Sequence, residues 1–144
     1  MWVITHTLTG MALGAVLGGR GVSVWLIAIA ALVLHLLLDI VPHWDYTSTR
    51  SRGAWAVADV AASAVALGIA AGMGADRAVL VAAVVSALPD LDVLNALWRT
   101  ERRIRLFPSH WRTFPHGAAP PLPGTALQAL IALVSLGILL TTGL

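Results

Sequence analysis

The sequence predicts an all-α protein: a polytopic integral membrane helical bundle of about five transmembrane helices, a single domain over residues 1–144, with its N-terminus cytoplasmic. Three observations lead there. Of the 144 residues, 58% are hydrophobic and 11% charged, and the mean hydropathy is +0.85; a soluble domain carries about a quarter charged residues. The apolar residues fall into five runs, each near the ~20 residues that a helix needs to cross a bilayer. Trp2, Trp25, Trp44, Trp55, Trp98 and Trp111 all stand at or just beyond the end of a run, where an amphipathic ring prefers the interface.

The first run, residues 2–17, carries Gly10, Gly14 and Gly18 at a spacing of four. Such a stripe lets a neighbouring helix approach closely, within the chain or in a homo-oligomer. The second run, 22–41, holds His35 and Asp39 and is stopped by Pro42. The third, 54–73, is rich in alanine and contains Asp59; the fourth, 78–98, contains Pro89, Asp90 and Asp92. The fifth, 124–140, has no ionisable residue, and Pro120, Pro121 and Pro123 stiffen the approach to it. Short loops at 18–21 and 72–76 separate the runs at one end, and longer loops at 42–53 and 99–123 do so at the other.

Threaded alternately, the runs put both longer loops on the side of the N-terminus. That side receives Arg50, Arg52, Arg99, Arg102, Arg103, Arg105 and Arg112, and the other only Arg20 and Arg77, so the positive-inside rule makes the first cytoplasmic. The pI near 10.5 follows from this placement of few charges, and no nucleic-acid partner is expected. The Arg99–Arg105 segment, with Trp98, Ile104, Leu106 and Phe107 interleaved, is expected to lie on anionic lipid. Thr5, His6 and Thr7 stand where a signal peptide would be apolar, so no cleavage is expected. Cysteine is absent, which removes disulfides and thiolate ligands.

The same threading gathers every histidine, and every acid except Asp76, on the cytoplasmic half. His35 and Asp39 are four apart and stack on one helix face, and His43 and Asp45 follow in a turn that can fold back toward it. Imidazole and carboxylate bind Zn²⁺ and other divalent ions. An ionisable group in hydrocarbon costs roughly 2.5–3.5 kcal/mol, so several together need a common partner. One or two divalent metal ions meet that need, zinc first, with manganese, iron or magnesium as alternatives. The candidate ligands are His6, His35, Asp39, His43, Asp59, Asp90, Asp92 and His110. Asp59 has a second use open to it, orienting a ligand imidazole from behind. The plainer readings are a hydrogen-bonded His35–Asp39 pair, a helix end at Asp90 and Asp92, and solvent-exposed loop histidines. Ion transport is not expected, because the outer half of the runs offers only Ser, Thr, Asp76 and Arg77.

The string His6-Thr7-Leu8-Thr9-Gly10, then His35-x-x-x-Asp39 with Pro42-His43-Trp44-Asp45-Tyr46, then Leu88-Pro89-Asp90, then a loop with two histidines, resembles a group of small bacterial membrane proteins. More loosely it is similar to the membrane-bound metal-dependent hydrolases, marked by Leu-Pro-Asp-x-Asp and His-x-x-x-Asp motifs and a His-rich loop. Their His-Arg-Gly-x-Thr-His-Ser element has no counterpart here; Ser109-His110-Trp111-Arg112-Thr113-Phe114-Pro115-His116 stands in its place. The resemblance implies metal ligation at His35, Asp39, Asp90 and Asp92, with His6 and the loop histidines joining them. The expected function is hydrolysis of a lipid or lipid-linked ester, a phosphoester first, at the cytoplasmic face of the bacterial inner membrane. Asp45 or His116 would serve as general base or leaving-group acid, and Arg112, or Arg50 and Arg52, would hold the anionic head. The alternative is a non-catalytic metal-binding membrane scaffold or sensor.

Overall fold

The computed structural model describes residues 1–91, 107–111 and 113–143. Among them the regular structure is helical: α1 (Val3–Gly18), α2 (Val24–Ile40), α3 (Arg52–Gly72), α4 (Arg77–Ala87) and α5 (Pro121–Thr142). Single 3-10 turns follow at Tyr46–Ser48, at 88–91 and at Pro108–His110. Asp92, Arg99, Arg102, Arg103, Arg105 and Arg112 lie outside the described residues.

α1 is the axis of the bundle and packs against all four other helices. It is buried all round through residues 5–12, so its hydroxyls cannot turn to water. Instead Thr7 donates to the Val3 carbonyl at 2.9 Å and Thr9 to the Thr5 carbonyl at 2.8 Å. The glycine stripe is used within the chain, against α4. A Cβ at Gly10 would lie 2.6 Å from the Ala82 carbonyl oxygen, and one at Gly14 2.5 Å from that of Ala78, so the two backbones touch. Ala78, Ala82 and Ala83 present the matching small face, and α2 lays Ile27 and Ala31 against Ala78 and Ala82.

Polarity is arranged inside out. α2 buries His35 and Asp39 completely while it exposes Leu26, Ile29, Val33, Leu37 and, at 79%, Trp25. α5 buries Gln128 and Ser135 and exposes Leu122, Leu130, Leu133, Val134 and Leu140. A helix facing water shows the opposite pattern. α3 and α5, at 21 and 22 residues, are long and apolar enough to cross a membrane.

Of the fourth expected span, 78–98, residues 92–98 lie outside the described residues, and the described part is α-helical to Ala87. α4 has 11 residues, about 17 Å at 1.5 Å per residue. Pro89 supplies no N–H to continue the ladder, and the chain tightens into the 3-10 turn at 88–91. α5 begins at Pro121, three residues before the expected start at Gly124, because proline in a first turn gives up no helical hydrogen bond.

The start of α1, the end of α2, the start of α3, the end of α4 and the start of α5 meet at one end of the bundle. Two loops are stitched together there. Gly117 N–H donates to the Asp39 carbonyl at 2.8 Å, Ala119 N–H to that of His43 at 2.9 Å, and His43 N–H to that of Gly117 at 3.4 Å, a lone parallel bridge. Gly117 has the Ile40 and Val41 backbone against it, and Gly124 that of Trp44; neither has room for a side chain. Gln128 accepts from Trp2 N–H at 2.8 Å and donates to the Trp44 carbonyl at 3.1 Å. Trp2, Trp44 and Trp55 pack on one another beside it, with ring centres 5.8–6.1 Å apart.

Candidate metal centre

All five histidines of the chain, with Asp39 and Asp90, converge at this end. His6 comes from the second turn of α1, His35 and Asp39 from the last turns of α2, Asp90 from the turn that replaces the end of α4, and His110 from the turn at Pro108–His110. His43 and His116 come from the stitched loops. Asp39 is the hub. Its Oδ1 lies 3.2 Å from His6 Nε2 and 3.0 Å from the Met1 amino group; its Oδ2 lies 3.1 Å from His35 Nε2 and 3.6 Å from His110 Nε2. Asp90 lies 3.2 Å from His110 Nε2 and 3.6 Å from His6 Nε2. The rings of His6 and His35 stack at 4.0 Å.

The Met1 amino group and His6 Nε2 hydrogen-bond to Asp39 Oδ1, but His35 Nε2 and Asp39 Oδ2 do not close in this way. His35 Nδ1 lies 2.8 Å from the Ser86 carbonyl, which can only accept, so Nδ1 carries a proton, and in the tautomer protonated there alone Nε2 carries a lone pair. That lone pair faces a carboxylate oxygen, and both His35 Nε2 and Asp39 Oδ2 are buried without a hydrogen-bond partner. Two facing acceptors at 3.1 Å suit a cation between or beside them, a proton or a metal ion. Around a tetrahedral ion with metal–ligand bonds of ~2.0–2.2 Å, neighbouring ligand atoms lie about 3.3–3.6 Å apart. The nitrogen–oxygen separations here run from 3.1 to 3.6 Å. The residues therefore fit a divalent ion held by nitrogen and oxygen. The carbonyl behind His35 is the outer partner that such ligands use to fix their tautomer.

His43 is built in the same way. Its Nδ1 donates to the Val41 carbonyl at 2.8 Å, which leaves a buried, unpartnered Nε2. Burial pushes its imidazole down to about 4, and the nearby Met1 ammonium adds to the effect; His116 is lowered by the same two causes. Both rings are neutral at pH 7 and keep their lone pairs. The His43 and His116 rings stand 4.6 Å apart, and His116 is exposed, so this side of the cluster meets the surface.

Of the residues that the sequence singles out, the structure brings together His6, His35, Asp39, His43, Asp90, His110 and His116. Asp59 is not among them. Its oxygens accept from Val3 N–H and Ile4 N–H, each at 2.9 Å, and from the Tyr46 hydroxyl at 3.0 Å, so it caps α1 rather than touching a ligand imidazole. Burial and Asp59 push the Tyr46 hydroxyl up, which keeps it a donor. Asp59→Ala is expected to destabilise the fold by about 0.5–2 kcal/mol for the lost cap, read as a lowered melting temperature in detergent, with the metal content per folded chain unchanged. Asp45 is exposed and spends both oxygens on Thr47, at 2.8 Å each, so it shapes the turn at Tyr46–Ser48. Asp92 and Arg112 fall outside the described residues.

Sequence reasoning missed the backbone acceptors. The Ser86 carbonyl is open to His35 because its partner in a 3-10 turn would be Pro89, which has no N–H. Pro89 was the signal for it. Nothing in the residue pattern announces the Val41 carbonyl behind His43, or Gln128 as the tie between α5 and the His43 loop. Comparisons with protein-family models, curated proteins and solved structures return no match.

Proposed function

We propose that the chain is a membrane-embedded metal-dependent hydrolase that cleaves a lipid or lipid-linked phosphoester at the cytoplasmic interface. The observation that carries it is the buried pair His35 Nε2 and Asp39 Oδ2, two lone pairs 3.1 Å apart with the imidazole proton committed to the Ser86 carbonyl on the far side. His6, His35, Asp39, Asp90 and His110 would hold the ion. When bound, a divalent ion polarises a phosphoryl oxygen and lowers the pKa of a water toward neutrality.

The protein's own groups supply the rest. Water adds to phosphorus, the ester P–O bond breaks, and the proton passes to the leaving oxygen. His116, neutral and exposed beside the cluster, is placed to carry that proton, a role that Asp45 cannot share from its own turn. The inside-out polarity of α2 and α5 supports residence in a bilayer, and Trp2, Trp44 and Trp55 set the site end at its interface. Arg50 and Arg52 on the same side make that face the cytoplasmic one and suit an anionic headgroup.

The deciding experiment is phosphorus NMR of detergent-solubilised phosphatidic acid, lipid diphosphates and phosphatidylglycerol, incubated with zinc- or manganese-loaded protein. Release of a phosphoryl product that stops on chelation, and that slows in His116→Ala, is the expected result. Stoichiometric metal without turnover of any of these lipids would leave a metal-binding scaffold, the reading favoured by the complete burial of His6, His35 and Asp39.

A further inference from the structure

We propose that the centre holds two metal ions, the second bound by Asp39, His43 and His116, with Asp39 shared between them. This rests on the metal-binding reading above, adds a second position to it and turns His116 from the proton carrier named there into a ligand. The ligand atoms of His6, His35 and Asp90 lie within 4.8 Å of one another, as do those of Asp39, His43 and His116, and these two sets have no residue in common. A third set, His35, Asp39 and His110, overlaps both. Seven imidazole and carboxylate groups are more than one ion accepts, since zinc takes about four ligands and the octahedral ions about six.

Asp39 is the group able to join the two positions, because it belongs to the second set and also lies 3.1–3.2 Å from His35 and His6 of the first. Oδ2 faces His35 and His110, whereas Oδ1 faces His6 and the Met1 amino group. One feature fits the second position to a cation. His43, 1% exposed, keeps Nε2 buried and unpartnered because Nδ1 is committed to the Val41 carbonyl. The stitching between Gly117 and the Asp39 carbonyl, and between Ala119 and the His43 carbonyl, gains a purpose in this light, since it holds His116 beside His43.

The second position is also the accessible one, because His116 is exposed whereas His6, His35 and Asp90 are buried. Paired ions roughly 3.5–4 Å apart suit an in-line displacement at phosphorus, where one stabilises the attacking oxygen and the other the leaving one. Two ions therefore suit the phosphoester substrate proposed above.

The test is to load the full chain with manganese in detergent, count bound metal by elemental analysis and record its low-temperature EPR spectrum. Two ions per chain with an exchange-coupled spectrum are expected for the native sequence. The His43→Gln/His116→Gln double variant is expected to hold one ion with an uncoupled six-line signal. One ion in both proteins, or two in the double variant, overturns the second site and leaves the first standing. No ion in the native protein overturns the metal-binding reading itself. Should the double variant fail to run as a single species on size exclusion, the native spectrum decides alone: coupled supports two ions, uncoupled refutes them.

Discussion

Replacing Asp39 by asparagine is expected to empty the centre, reducing bound metal to less than a tenth of the native content and phosphoester turnover by more than 100-fold. Asp39 faces His6, His35, His110 and the Met1 ammonium at 3.0–3.6 Å, so its charge serves every inner contact. Changes to groups behind metal ligands alone cost roughly 10–100-fold, and removing the hub ligand must exceed that. The ammonium and the histidines also lose their counter-charge, and breaking a buried pair from one side costs about 3–5 kcal/mol. Elemental analysis and thermal unfolding with and without chelator check both effects. A chelator should lower the native melting temperature, because an ion that binds only the folded state stabilises it by mass action. It should leave Asp39→Asn unmoved. Full metal content in Asp39→Asn would remove Asp39 from the ligand set.

Gly14→Leu is expected to be the most disruptive substitution away from the centre. A Cβ there would stand 2.5 Å from the Ala78 carbonyl oxygen and 2.6 Å from the Val79 Cα, so backbone rather than a pliable side chain must give way. Overpacking a formed interface costs roughly 1–3 kcal/mol when side chains can adjust, and here they cannot. Separating α1 from α4 would also move Ser86 away from His35 and His6 away from Asp90. The measurement is the yield of a single species on size exclusion, with metal content on whatever folds. Gly68→Leu on α3, where a Cβ meets nothing within 4 Å, is the matched control and should behave as the native protein does. A native yield from Gly14→Leu would show that the α1–α4 contact is not backbone to backbone.

Much of this arrangement was legible in the residues. The five apolar runs correspond to five helices, and the gathering of histidines at one end followed from alternation and loop length alone. The glycine stripe announced a close contact, and the contact turned out to be with α4. His35 and Asp39 were visible through their spacing, because a period of about 3.6 residues puts i and i+4 on one face. Asp59 was misjudged for a physical reason: a buried carboxylate can answer a helix N-terminus as well as a metal, and the N–H groups of Val3 and Ile4 lie more than 50 residues away in sequence. The change from α-helix to a 3-10 turn within the fourth run was not legible either, since hydropathy carries no record of where Pro89 interrupts the ladder. The loop histidines were the hardest to place. What brings His43 and His116 together is a backbone bridge whose donors and acceptors every residue possesses.

The short helices have a consequence for the surroundings of the chain. At 16 and 17 residues, α1 and α2 reach only about 24–26 Å at 1.5 Å per residue, against a hydrocarbon thickness of about 30 Å. α3 and α5, at 21 and 22 residues, reach about 32–33 Å on the same rise. In a bilayer the chain is thus mismatched on one flank and matched on the other. If all of them span, lipids against α2 would be compressed while those against α3 and α5 would not, and a compressed leaflet costs fractions of a kcal/mol per ångström to maintain. The dent would then fall along the helix that carries His35 and Asp39, and under the proposed function headgroups would be drawn down toward the cluster there instead of having to be lifted out of the membrane to reach it.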